Sequence, residues 1–364
     1  MAGNSANTLV SVPRVRAEIN GTKVDSVVHV DVIAAGSYKS SWFELTLSTT
    51  ASSAGIQWLN QLTGRVTVKI FIRVLPDTLD TTLIEGMADS IIVDATAGLV
   101  QIQGRDYSSL LINSTYQDAF RNQTSSEIAN YIASRHGFGT NISVTYTMVG
   151  SYQCGEYNNL LLNSHSHLTH EWALLVFLAK REGFELFING TTLVFAPQSA
   201  LHQSHSELAI ENVIGARFHV RCPLSDQTTL TVKSWNSWMN QLSTYSETKS
   251  DDQSTSAING LSSDLGFEIA VVMPNLTSHG AEQIAKQHIN TLNEQALNVE
   301  VIAPGELYLK PLDIISISGS NSSFDVDYVV RSVRRHFSSN TGFIEYINGY
   351  TLEANPPSSP EPAA

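Results

Sequence analysis

The sequence predicts a β-rich α+β protein in which two barrel-like sets of strands flank an α+β middle segment. Three observations carry this prediction. Residues 14–106 consist mostly of short runs in which apolar and polar side chains alternate, the period-2 signature of half-buried strands. The same kind of run returns over 208–234 and 303–350. Helical period is confined to three stretches, around 124–137, 169–182 and 278–297.

In the first set, Val24–Val32 and Phe43–Leu47 alternate, and Arg65–Val74 (RVTVKIFIRV) gives the clearest strand pattern. There Val66, Val68, Ile70, Ile72 and Val74 fall on one face, and Thr67, Lys69, Phe71 and Arg73 on the other. Leu83–Ala88, Ser90–Asp94 and Leu99–Gly104 complete the set. The period then changes. Thr124-Ser125-Ser126-Glu127 forms a capping box, with Ile128, Tyr131, Ile132 and Arg135 behind it at helical spacing and Gly137 as the stop. A second helix, Thr169–Glu182, carries Trp172, Leu175, Val176 and Ala179 on its apolar side and stops at Gly183. It leads into a hairpin, FELFING-TTLVFAP, with Asn189-Gly190 at the turn.

After the return to strand at Leu208–Ser234, residues Gln241–Asp264 are polar and aperiodic, which predicts a polar loop. A long helix over about 278–297 follows, with Ala281, Ile284, Ala285, His288, Leu292 and Ala296 in a narrow stripe. The last strands are Leu312–Ser318, Asp327–His336 and Gly342–Ile347, joined by GSNSS and SSNTG turns into a meander. The expected organisation is therefore 1–106, a first β-barrel domain; 107–206, a middle α+β domain; 207–350, a second barrel domain containing loop 241–264 and helix 278–297; and 351–364, a disordered Pro/Ser-rich tail.

The composition excludes several classes of function. At 364 residues the chain is long for one core. Its formal charge is −13 and its basic residues cluster only at Arg331–Arg335, against the clustered Lys and Arg of a dedicated nucleic-acid binder. Two cysteines, Cys154 and Cys222, make no disulfide framework and lack metal-ligand spacing. The opening residues hold no apolar run of signal-peptide length, and no stretch approaches the roughly 18 apolar residues of a membrane helix, so no membrane anchor is expected. Phosphate-binding glycine loops of both common types are absent.

Several of these steps, taken in order, resemble one family. A Pro-Gly before a strand (Pro304-Gly305), then Gly319, Phe324, Tyr328 and Val330, then Arg335-His336 and a Gly-aromatic strand, resemble the end of phage late control protein D. The Gly104-Arg105-Asp106 step, the helix-Gly-strand-Asn-Gly-strand unit and the V-x-S-W-N step at Val232–Asn236 are similar to earlier parts of that family. The chain departs from the family pattern at Lys310-Pro311-Leu312-Asp313, where a second Pro-Gly is usual, and at Asp327, where glycine is common. The histidines at 165, 167 and 170 also replace acidic or polar residues.

That family is the central baseplate hub of contractile phage tails, related to the hub part of type VI secretion spikes. The resemblance implies two similar small tube-forming β-barrels per chain with an inserted α+β domain. It implies a homotrimer that adapts a hexameric tail tube to a trimeric spike and forms part of a DNA-conducting lumen. The implied partners are the tail tube or tube-initiator protein, the central spike protein, the tape-measure protein and baseplate wedge proteins, with DNA only in passage. The implied place is the virion tail baseplate, assembled in the bacterial host cytoplasm. No enzymatic activity, catalytic residue, cofactor or metal is expected.

Candidate chemistry is sparse. His165, His167 and His170 precede a helix, and His202 and His205 follow the hairpin; such imidazoles suit zinc. The alternative reading is a tail-associated cell-wall hydrolase or metal-dependent enzyme built on His165, His167 and His170. However, His170-Glu171-Trp172-Ala173-Leu174 is not H-E-x-x-H, because Leu174 stands at the second histidine position, so polar loop or interface histidines are the preferred reading. Cys154 and Cys222 lack a visible activating base, and Glu156, Glu171 and Glu182 are not distinguished as a carboxylate pair. Trp235 and Trp238 suit core or interface packing better than a sugar platform, and Arg331–Arg335 suits a solvated strand face.

Overall fold

The computed structural model describes residues 13–49, 59–60, 62–74, 80–114, 120, 123–146, 148–149, 170–201, 203–220, 227–236, 240–250, 267–274, 276, 278–294, 297–305 and 309–351. The first strands are β1 (Pro13–Ile19), β2 (Thr22–Val24), β3 (Val27–Ala35), β4 (Trp42–Ser48), β5 (Thr67–Val74), β6 (Thr81–Asp94) and β7 (Leu99–Asp106). The alternation read from the sequence is the burial pattern: Val66, Val68, Ile70 and Ile72 are fully or almost fully buried. They join Phe43, Leu45, Leu47, Val100 and Ile102 in one core.

The middle segment holds α1 (Ser108–Ile112), β8 (Gln123–Thr124), α2 (Ser125–His136), β9 (Gly139–Ile142), β10 (Met148–Val149), α3 (Glu171–Glu182), β11 (Glu185–Asn189) and β12 (Thr192–Ala196). The capping box forms as expected: Glu127 N donates to Thr124 Oγ1 at 3.3 Å, and Thr124 N donates to Glu127 Oε2 at 2.8 Å. Strands β11, β12 and β9 make a three-stranded sheet, with β9 parallel to β12. Its apolar side meets Ile128, Ile132, Trp172, Leu175 and Leu178 from the two long helices in a second core. This segment docks on the β3–β4 turn, where Tyr38 N donates to Leu186 O at 2.9 Å and Tyr38 Oη to Phe184 O at 2.8 Å.

The remaining elements are β13 (His205–Ala209), β14 (Gly215–Val220), β15 (Gln227–Asn236), β16 (Gln241–Ser250), β17 (Phe267–Val272), α4 (Ser278–Glu294), β18 (Leu297–Pro304), β19 (Ile314–Ser318), β20 (Asp327–Ser338) and β21 (Gly342–Tyr350). The predicted meander is present as β19–β20–β21, antiparallel throughout.

One expectation is corrected. Gln241–Ser250, read as the start of a polar loop, form β16 and pair residue by residue with β15; residues 251–264 of that loop lie outside the described residues. β16 is an edge strand whose better-covered side presents only Ser243, Tyr245 and Glu247, so backbone pairing holds a strand that has no apolar alternation to reveal it. β15, β16 and β17 form a separate sheet, over which α4 packs Ala281, Ile284, Ala285 and Ile289 against Leu230 and Val232. This small α+β unit is inserted between β14 and β18. The expected tail, 351–364, lies outside the described residues apart from Thr351.

β8 and β10 form a two-stranded sheet of their own, and the other strands belong to one 13-stranded sheet in which, β2 apart, two halves of six strands repeat the same path. One half runs β3-β4-β7-β6-β5-β1, and the other β14-β18-β21-β20-β19-β13. Taken in chain order, the six strands of each half occupy the same places. Details repeat as well. The register shifts once between β6 and β7, at Ala88/Ser90, and once between β20 and β21, at Val330/Ser332. Asp106 N donates to Ser41 O at 3.0 Å, and at the matching place Thr351 N donates to Leu297 O at 3.2 Å.

Gly104 faces Phe43 and Gly349 faces Val299. A Cβ on Gly104 would stand 2.1 Å from Met87 O and 2.5 Å from the Phe43 ring, so that position has room only for glycine. The halves also differ: β1 lies antiparallel to β5 whereas β13 lies parallel to β19, and the shifts at Val27/His29 and Ile70/Phe71 in the first half have no counterpart in β14–β18 and β19–β20.

Candidate functional site

The two halves meet along β20. This strand serves two partners on one edge: Asp327–Val329 pair with β19, and beyond the shift at Val330/Ser332 residues Ser332–Ser338 pair with Ala35–His29 of β3. The seam is closed by Gly36 N donating to Arg331 O at 3.0 Å and Leu312 N donating to Val330 O at 2.7 Å. Leu312 has φ +75°, a left-handed conformation for a residue that ordinarily avoids it, and sits at the divergent Lys310–Asp313 step.

Side chains reinforce the seam. Asp31 is buried and receives Arg334 Nε at 2.9 and 3.0 Å, with Nη2 also bonded. This hydrogen bond raises the Arg334 pKa, and its guanidinium also lies 5.6 Å from the Tyr346 ring centre. Arg331 lies over Tyr350 at 4.8 Å. Arg335 and Glu345 are both buried, with Nε donating to Oε1 at 2.6 Å and Nη2 to Leu309 O. Within the basic run Arg334 is exposed, as a solvated strand face requires, and Arg335 is the arginine that departs from it by being buried. The arginines of the run face carboxylates and aromatic rings across β3 and β21, partners that lie far away in sequence or on the next strand.

The seam contains one group with metal-ligand character that sequence reading missed: His29, Asp31 and His336, whose ligand atoms lie within 4.8 Å of one another. His336 Nδ1 is 3.7 Å from Asp31 Oδ2, and the two imidazoles meet edge to face at 4.9 Å. Asp31 already neutralises Arg334, and a cation placed there would have to displace or sit against that guanidinium. The cluster fits a cross-strand clasp better than a metal centre.

Among the described residues, those singled out from sequence do not assemble into a reaction centre. His165, His167, His202, Cys154, Cys222, Glu156 and Trp238 lie outside the described residues. His170 caps α3 from an exposed position without a side-chain cap bond. His205 bonds Ser316 Oγ at 2.6 Å between β13 and β19. Glu171 is buried and bonded to Arg135 and His136, tying α3 to α2. Burial, and then the neighbouring Arg135 charge, hold the His136 pKa below its ordinary value. Glu182 accepts Ser125 Oγ at 2.6 Å. Trp235 is half exposed, cross-strand from Leu242, so it does not pack in a core.

A cavity of about 770 Å³ lies between β6, the β11–β12 hairpin and the Lys310–Asp313 loop. The acidic groups on its wall hold the fold. Asp106 accepts Ser40 Oγ at 2.9 Å, Ser41 N at 2.8 Å and Ser108 N at 3.0 Å, and burial pushes its pKa up. Asp313 accepts Ser204 N at 3.0 Å and Lys310 N at 2.7 Å. Glu85 pairs with Lys69 at 3.0 Å and accepts from Tyr107 Oη at 3.1 Å; burial, then Glu85, push the Tyr107 pKa up to about 12. The Gly-Arg-Asp step therefore has a structural meaning: glycine for close approach, Arg105 paired to Asp89 at 2.6 Å, and Asp106 as a buried anchor.

No protein-family model and no curated protein matches the sequence. Solved structures do match the fold. The 43 kDa tail protein of prophage MuSo2 from Shewanella oneidensis is 14% identical, with a TM-score of 0.64, over 94% of this chain and 99% of that one. The tail protein from Neisseria meningitidis MC58 is 12% identical, with a TM-score of 0.65, over 93% and 97% of the two chains. This chain has a phage tail-protein fold. The same fold extends to an E. coli component of the type VI secretion system described as structurally similar to T4 tail proteins gp27 and gp5, with 11% identity, a TM-score of 0.56, and coverage of 95% and 80%. The likeness covers almost the whole of each tail protein.

Proposed function

We propose that this chain is the non-enzymatic central hub of a contractile-tail baseplate, or of a related injection machine. Three copies would form a ring that joins a hexameric tail tube to a trimeric spike and lines part of the lumen through which DNA passes. The observation that carries this reading is the repeated strand path. A chain holding two six-strand units with one topology presents two comparable modules per copy, so three copies present six. In the hub, each unit is a small tube-forming barrel.

Further support comes from the tail-protein fold and from the structural employment of the candidate catalytic groups among the described residues. The formal charge of −13 suits a lumen that passes a polyanion without holding it. The partners are the tube or tube-initiator protein on one side and the spike on the other, with tape-measure and wedge proteins around them; the setting is the virion tail. Light scattering on the purified protein tests this directly. The expected particle has three times the 39.7 kDa chain mass, and a monomer at all concentrations, alone and with the spike protein present, would refute the hub reading.

A further inference from the structure

β2 apart, each half of the sheet has the same six-strand path, yet among the described residues only one of two equivalent edges is occupied. In the second half, the distal part of β20 pairs with β3 of the first half. The equivalent part of β6, beyond the shift at Ala88/Ser90, is Ser90–Asp94; it pairs with β7 on one side, while its other edge has no strand among the described residues. The strand equivalent to β3 is β14, which ends the sheet: it pairs with β18 and, among the described residues, with nothing on its outer side. Among the described residues, the chain therefore carries one unused copy of each side of its own internal junction.

We infer that β6 of one copy and β14 of the next pair antiparallel, repeating between chains the β20–β3 junction found within the chain. This rests on the hub reading for the number of copies, but the contact itself follows from the repeat.

The register can be written out. Aligning β6 with β20 through their shifts, and β14 with β3 through their partners β18 and β4, converts the Arg334–Ile33, Arg335–Val32 and His336–Asp31 pairs into Ile92–His219, Val93–Phe218 and Asp94–Arg217. The chemistry at these positions fits. Ile92 and Val93 are 56% and 51% exposed, and Val220 at the facing end of β14 is 47% exposed, an apolar load that a solvent-facing edge does not ordinarily carry. Asp94 and Arg217 are both exposed and of opposite charge, and they stand where His336 and Asp31 meet in the internal junction. The signs have exchanged sides and remain complementary. One free β6 edge and one free β14 edge per copy make a head-to-tail contact, which cannot form a two-fold pair and gives a ring where its rotation closes.

Site-directed cross-linking reads the register. In a chain carrying Cys154→Ser and Cys222→Ser, the pair Ile92→Cys and His219→Cys is expected to give covalent trimers on mild oxidation, and mixing the two single variants is expected to give covalent dimers. Shifting one partner by a residue, with Val220→Cys in place of His219→Cys, should lower the yield, because adjacent strand positions face opposite sides. Charge reversal supplies a second reading that needs no oxidation: Asp94→Arg should weaken the trimer about tenfold or more, Arg217→Asp likewise, and the double reversal should restore it. A trimer that forms without these cross-links and ignores both reversals would overturn the pairing and leave the hub reading standing. A wild-type chain that remains monomeric, even with its spike protein present, would overturn both.

Discussion

The buried pair Arg335–Glu345 gives the sharpest test of how the two strand units are held together. Arg335 lies on β20 opposite Val32 of β3, inside the seam, and Glu345 faces it from β21. The two side chains are 5% and 0% exposed, so neither charge can turn to water. Glu345→Gln keeps size and one acceptor oxygen but removes the counter-charge, leaving a guanidinium in a low-dielectric site. Breaking a buried pair from one side costs about 3–5 kcal/mol. The retained oxygen places this variant near the lower limit. A loss of about 3 kcal/mol corresponds to roughly a hundredfold increase in the open population. A chain with several cores does not unfold in one step, so the assay must be local: amide hydrogen exchange along β20, β21 and β3, compared with β11–β12 as an internal standard. The expected result is exchange about a hundredfold faster along the seam and unchanged in the middle segment. Replacing both residues by leucine should recover most of the loss, because two apolar groups leave no unpaired charge. Wild-type exchange rates in Glu345→Gln would refute the assignment of this pair as a seam anchor.

Two further outcomes follow from the charged groups. His136 has its pKa lowered by burial and by Arg135, so the folded state holds fewer protons than the unfolded state below about pH 6.5. Its share of stability is complete above that pH and is lost as the pH falls toward the depressed value; protection of the α2 and α3 amides against hydrogen exchange, corrected for the intrinsic pH dependence, should fall from pH 7.5 to 5, and His136→Gln should flatten that slope. Elemental analysis of the purified protein should find no stoichiometric zinc, because Arg334 already occupies Asp31 in the His29–Asp31–His336 cluster; one bound zinc per chain, abolished by His336→Ala, would overturn the clasp reading.

Local signals were legible and long-range ones were not. The alternation over Arg65–Val74, the Thr124–Glu127 box and the glycine stops describe interactions within a few residues, and the structure contains each of them. The meander at 312–350 was legible for the same reason. The seam was not: Asp31 and Arg334 lie 303 positions apart, and no periodicity connects them. Arg335 was misread because an arginine in a strand normally faces solvent, and only Glu345 across the hairpin makes its burial tolerable. β16 was missed because a polar edge strand takes its order from the neighbouring backbone rather than from an apolar face. The repeat itself was visible only as two sets of strands alike in kind, since its strongest marks are hydrogen bonds and register shifts, which depend on geometry rather than residue type.

That distinction bears on how the repeat should be interpreted. If the two halves resembled each other only in strand count, a shared path would be unremarkable for antiparallel sheets. One of the register shifts falls at the same strand in both, and the glycine beside the equivalent buried residue recurs as Gly104 and Gly349. At the shifted residue the cross-strand partner recurs in changed chemistry: Asp89 with Arg105 in one half, Arg331 over Tyr350 in the other. Side-chain chemistry has diverged while backbone geometry has been retained, as expected where geometry carries the function. The divergence is greatest at the distal ends of β6 and β20. β20 is covered there by β3 and carries charges matched to Asp31, whereas β6 carries exposed Ile92 and Val93 and ends at Asp94. An edge kept permanently in water is ordinarily protected by lysine, proline or a bulge that turns it away. β6 places two β-branched residues there instead, the composition of a strand that another strand will cover.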